Sequence, residues 1–68
     1  MDLTLDVAVT DGVPVVAVRG EVDFGTAPRL REMLIAQAMD GNPHVVVDLR
    51  AVDFLDSTGL GVLVGALK

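Results

Sequence analysis

Between Gly25 and Gly41 the apolar residues recur at helical spacing, and on either side of that stretch they do not. This change of period constrains the fold more than any other feature of the chain. Ala27, Leu30, Leu34 and Ala38 fall three or four apart while Arg29, Arg31 and Glu32 take the positions between, the pattern of an amphipathic helix laid on a sheet. Thr26 stands where an N-cap belongs, Pro28 suits a first helical turn, and Gly41-Asn42-Pro43 stops the helix. The flanking segments read as strands. Residues 13–18 are almost all valine, with Pro14 tolerated near the start, and His44-Val45-Val46-Val47-Asp48-Leu49 has the same character. Such runs suit strands buried on both faces. A strand, a helix and a strand in that order imply parallel pairing through a right-handed crossover.

Ahead of this unit, Leu3, Leu5, Val7 and Val9 alternate with Thr4, Asp6, Ala8 and Thr10, and Asp11-Gly12 follows as a turn signal. A half-buried strand joined by such a turn to residues 13–18 makes an antiparallel hairpin, because Asp and Gly accept the positive φ that the turn needs. The expected fold is therefore α/β: a mixed sheet with an N-terminal antiparallel hairpin and a parallel β-α-β crossover, its helices packed on the sheet. A second helix begins at Ser57, with Leu60, Leu63, Val64 and Leu67 on one side and Gly61, Gly65 and Lys68 on the other. Glycine inside a helix costs about 1 kcal/mol relative to alanine, so those at 59, 61 and 65 call for a close approach, by the chain itself or by a partner. The helical pattern stops at Lys68 without a C-cap, as in a single domain (1–68) cut inside or just after a helix, its C-terminal elements missing.

At 68 residues the chain holds one small domain, which can bury only about 60% of its unfolded surface. With 51% hydrophobic residues and a mean hydropathy of +0.57, it has more apolar surface than such a core hides, and a protein partner or self-association is expected to cover the rest. The net charge of −5 and pI near 4.3 repel phosphate backbones and anionic lipid, which argues against nucleic acid and membrane surfaces as partners. There is no cysteine, hence no disulfide framework or thiolate site. Asp2 follows Met1 directly and no export signal is visible, so a cytoplasmic location is expected. The apolar stretch from Gly59 to Leu67 is far shorter than the roughly 20 residues that span a bilayer.

The candidate site is Asp53-Phe54-Leu55-Asp56-Ser57-Thr58-Gly59-Leu60, a hydroxyl pair at the start of an apolar helix directly after two carboxylates. Ser57 at the N-cap would satisfy free N–H groups of the first turn. It is also placed for phosphorylation, since a helix N-terminus accommodates a phosphate. Asp56 would favour the helix dipole or position Ser57, and Asp53 would shape a turn. Catalysis finds no support. The only histidine, His44, opens a strand whose length separates it from Ser57 by roughly 15 to 20 Å, and the Gly-x-Ser-x-Gly elbow is absent. Arg50 stands where a second carboxylate would help Asp48 hold a metal, and Asp48, Asp53 and Asp56 read as a solvated acidic group. Phosphate-binding glycine motifs are missing. No enzyme activity, cofactor or metal is expected.

Gly20-Glu21-Val22-Asp23, Thr26-Ala27-Pro28-Arg29-Leu30, Val45-Val46-Val47-Asp48-Leu49 and Asp53-Phe54-Leu55-Asp56-Ser57-Thr58-Gly59-Leu60-Gly61 together resemble STAS domains, in particular bacterial anti-sigma factor antagonists. The resemblance implies a protein that binds an anti-sigma factor, a serine kinase of the GHKL type, and so frees a sigma factor. It further implies that the kinase phosphorylates Ser57, or less readily Thr58, and that a serine phosphatase resets the switch. Asp23, Asp56, Ser57, Thr58, Gly59 and Leu60 are the residues expected to meet the partner. The alternative within the same resemblance is a STAS interaction module of a transport system, with no phosphorylation cycle.

Overall fold

The structure, a computed structural model, describes residues 2–66 of the 68. Met1, Leu67 and Lys68 lie outside the described residues, and with them the expected placing of Leu67 and Lys68 on opposite sides of a helix. Strands β1 (Leu3–Thr10) and β2 (Val13–Val22) form the antiparallel hairpin, α1 (Ala27–Met39) crosses over, β3 (Val46–Leu55) pairs parallel to β2, and α2 (Ser57–Ala66) follows. The sheet order is β1-β2-β3. Asp11 and Gly12 both take positive φ, 53° and 79°, as a two-residue hairpin turn requires. The mixed α/β fold is thus the one the sequence specifies.

Burial departs from the sequence reading. β2 runs on to Val22 and alternates: Pro14, Val16, Val18 and Val22 are buried while Val15, Ala17 and Arg19 are not. Its buried valines, Val16, Val18 and Val22, therefore line one face, and the strand is not buried on both. β3 begins at Val46, leaving His44 exposed ahead of it, and continues through Asp53, which lies in a strand and not a turn. No residue of β3 is fully buried. It is an edge strand, and a run of valines cannot by itself distinguish an edge from a centre. The register of β2 on β3 shifts between Ala17 and Arg19 and again between Gly20 and Glu21.

Both helices contribute to one core, built from Leu3, Val16, Val18, Val22, Ala27, Leu30 and Leu34, with Val62 and Leu63 packed against it. Ala27, Leu30 and Leu34 of α1 are buried as their spacing predicts, but Ala38 is exposed. Of the apolar residues that share one side of α2, Leu63 packs on the core while Leu60 and Val64 are about half exposed, and the one fully buried residue of the helix is Gly59. The opposite face of the sheet is open, with Asp6, Arg19, Asp48 and Arg50 along it. There Arg50 forks onto both oxygens of Asp48, at 2.8 Å for the shortest contact, and these hydrogen bonds pull the Asp48 pKa down to about 2.

Candidate functional site

The end of the sheet where β2 and β3 finish carries two turns, and a single side chain joins them. Val22 closes β2 and Leu55 closes β3, side by side in register. Asp56 follows, its N–H donating to Val22 O at 3.1 Å. From this position Asp56 Oδ1 accepts the N–H of Gly59 at 3.0 Å, and Asp56 O accepts that of Leu60. That is an N-cap, and Asp56 rather than Ser57 provides it. Since β3 reaches Leu55, the half-helical position falls on Asp56, and Ser57 moves into the first turn. There Ser57 and Thr58 are exposed.

The other oxygen of Asp56, Oδ2, accepts the N–H of Phe24 at 3.2 Å, across 32 residues of sequence. Phe24 belongs to the turn between β2 and α1, which Asp23 organises. Asp23 Oδ1 accepts the N–H groups of Gly25 and Thr26, each at 2.9 Å, and Ala27 N–H donates to Asp23 O at 2.8 Å. These bonds, first that from Thr26 N–H, hold the Asp23 carboxyl below its ordinary pKa. Thr26 occupies the N-cap position of α1, but its side chain makes no cap bond. Its hydroxyl instead donates to Glu21 O at 2.7 Å and accepts the Asp23 N–H at 2.9 Å. Thr26 is thus the N-cap residue by position, as expected, while its hydroxyl ties the turn to the end of β2.

Gly59 explains why α2 can start where it does. A Cβ there would lie 2.6 Å from both Val22 Cγ1 and Leu55 Cδ1 and 3.0 Å from Val22 O. Only glycine lets the helix approach the strand ends this closely. Gly61 and Gly65, by contrast, face open space, and with Leu34, Ile35 and Thr58 they help line a groove of about 490 Å³ between the helices.

The structure therefore gathers Asp23, Asp56, Ser57, Thr58, Gly59 and Leu60 at one end of the sheet, with Asp53 three residues before the cap. Asp48 stands apart, bound to Arg50 on the open face. Sequence reasoning did not single out Phe24; the only signal was an apolar residue in a polar turn. Among the described residues, no group of three or more His, Cys, Asp or Glu side chains is placed to hold a metal ion, and no helix is long and apolar enough to cross a membrane.

Comparison with known proteins agrees with this fold. A family model described as the STAS domain matches residues 4–68. Anti-sigma-B factor antagonists of Staphylococcus aureus and, equally, Staphylococcus epidermidis are 41% identical over all 68 residues. The chain spans 63% of the length of these relatives. Among solved structures, an anti-sigma factor antagonist from Mycobacterium paratuberculosis superposes with a TM-score of 0.92 at 44% identity, over 97% of this chain and 56% of that one. The unphosphorylated form of the anti-sigma factor antagonist SpoIIAA shares the fold, with a TM-score of 0.74 at 22% identity over 97% of this chain and 60% of that one.

Proposed function

The chain belongs to the STAS domain family, and we propose that within it the protein acts as an anti-sigma factor antagonist, controlled by phosphorylation of Ser57. One observation carries the reading: Ser57 is exposed in the first turn of a helix whose cap is already supplied by Asp56, which leaves its hydroxyl free to react. In this reading the unmodified Ser57 end, with Asp23, Asp56, Thr58, Gly59 and Leu60, binds an anti-sigma factor of the GHKL serine kinase type and so releases a sigma factor in the cytoplasm. The protein acts by binding and catalyses nothing itself.

A phosphate on Ser57 adds about −1.5 to −2 charges at pH 7 beside a helix N-terminus, whose N–H groups and dipole accept it, so the fold survives the modification. The partner contact does not. A surface shaped to the small, uncharged Ser57 hydroxyl has no room for the phosphate, and docking would strip water from a strongly hydrated dianion beside Asp56. A serine phosphatase restores binding. Thr58, which lines the groove between the helices, is the lesser acceptor. The exposed edge of β3, with Val46 and Phe54 along it, offers a route for self-association.

The test is to incubate the full chain with its cognate kinase and ATP, map the phosphate by mass spectrometry, and titrate both forms against the kinase by calorimetry. Phosphate on Ser57 and a loss of affinity by orders of magnitude are expected, with Ser57→Ala binding in ATP and ADP alike. Phosphate on neither hydroxyl, or equal binding of both forms, overturns the switch. Light scattering of the same samples reads self-association directly, and a constant monomer mass at every concentration removes that part of the proposal.

A further inference from the structure

Phe24 is the most exposed aromatic of the described residues, with 80% of its surface open to solvent. Its ring serves no purpose in the core. Its backbone, in contrast, is held from two directions: the Asp23 carboxylate fixes the turn from within through Gly25 and Thr26, and Asp56 Oδ2 fixes it from α2. A bare aromatic on a fixed backbone is pre-organised for contact, because little conformational freedom remains to be lost on binding. Aromatic anchors of this kind dominate the energetics of protein interfaces.

Asp56 makes the turn and α2 one surface. Its Oδ1 caps the helix that carries Ser57 and its Oδ2 holds the N–H of Phe24, so the two exposed residues are set relative to each other by one carboxylate. Asp23 and Asp56 add negative charge to the turn that carries the ring, on a chain whose net charge is −5. An apolar pocket with basic groups at its rim is the complementary surface.

Resting on the reading that the Ser57 end meets an anti-sigma factor, we propose that Phe24 is a second anchor for that same partner, entering an apolar pocket flanked by basic groups and held in register with Ser57 by Asp56. Two substitutions in the full chain test this. Phe24→Ala removes the ring from an exposed position and leaves the fold intact. Asp56→Asn is the finer probe: asparagine caps a helix as well as aspartate, but its amide nitrogen cannot accept the Phe24 N–H. Binding is measured by calorimetry against the anti-sigma factor that captures the wild-type chain, alongside Ser57-phosphorylated protein. Amide hydrogen exchange at Phe24 and Gly59 is followed in parallel.

Phe24→Ala is expected to weaken binding about tenfold or more, on the order of an interface hot spot. Asp56→Asn is expected to weaken it less, while exchange accelerates at Phe24 and stays protected at Gly59. Wild-type affinity in Phe24→Ala overturns the anchor even if phosphorylation of Ser57 abolishes binding, in which case the switch stands without it. Unchanged affinity on phosphorylation together with a loss in Phe24→Ala sinks the switch and supports the anchor.

Discussion

The two helices lie on the same core and reach it in opposite ways. α1 buries Ala27, Leu30 and Leu34 and turns its charged residues outward, so large side chains fix its place on the sheet. α2 is apolar almost all round, yet its one buried residue is Gly59, while Leu60 and Val64 stay about half exposed. One helix is located by what it inserts and the other by what it leaves out. The difference matches their tasks: α1 supports the sheet, and α2 presents Ser57 and an apolar surface to solvent. A helix that is hydrophobic on every side without being buried has apolar surface available for a partner.

The comparison breaks most visibly if α1 loses its anchor. Leu30 is fully buried in the core, and Leu30→Ala removes its packing and leaves a cavity, at a cost of about 2–5 kcal/mol. For a domain of this size that is most of the available stability, and the variant should be largely unfolded at room temperature by circular dichroism. A cooperative melt close to the wild type would show that α1 is not the support described.

The glycines of α2 sharpen the contrast through opposite signs. Gly59→Ala places a methyl group against Val22 and Leu55, and overpacking of that kind costs about 1–3 kcal/mol, partly offset by the roughly 1 kcal/mol gained in helix propensity. Gly61→Ala meets nothing within 4 Å and keeps only the propensity gain, up to about 1 kcal/mol. Denaturant midpoints should therefore fall for the first and rise for the second. Equal shifts would mean that α2 is not held by the close approach at Gly59.

How far such features could be read in advance follows from their range along the chain. The hairpin and the crossover were legible because their signals are local: the alternation through Leu3–Thr10, the Asp11-Gly12 turn, and the change to helical spacing after Gly25. The site's location was legible in the same way, since Asp56, Ser57 and Gly59 sit together in sequence. Burial was not. Valine suits the centre and the edge of a sheet equally, so nothing local said that β3 forms an edge of the sheet among the described residues or that β2 is buried on only one face. The cap was misassigned by one residue because aspartate and serine both cap well, and the choice depends on where β3 ends. The bond from Phe24 to Asp56 joins residues 32 apart, and no pattern in the chain anticipates it.

The smallest effect expected is a dependence on acid, and it bears on how α1 begins. Asp23 accepts the Thr26 N–H just ahead of α1, and that bond is the main reason its pKa is lowered; Asp48, gripped by Arg50, falls to about 2. In the unfolded chain both return to near 3.9. A carboxyl whose folded pKa is the lower one binds fewer protons when native, so its contribution to stability is complete above about pH 4 and is lost as the pH falls toward 2. Both groups keep some contact with solvent, so each contribution is modest. Asp23→Asn retains the Oδ1 acceptor for the turn but cannot titrate, and Asp48→Asn removes the larger shift on the open face. Urea melts between about pH 4.5 and 2.5 should show stability falling less steeply in each variant than in the wild type, with the greater flattening in Asp48→Asn. If Asp23→Asn followed the wild-type slope throughout, the carboxylate ahead of α1 would be contributing geometry alone and no charge-dependent stability.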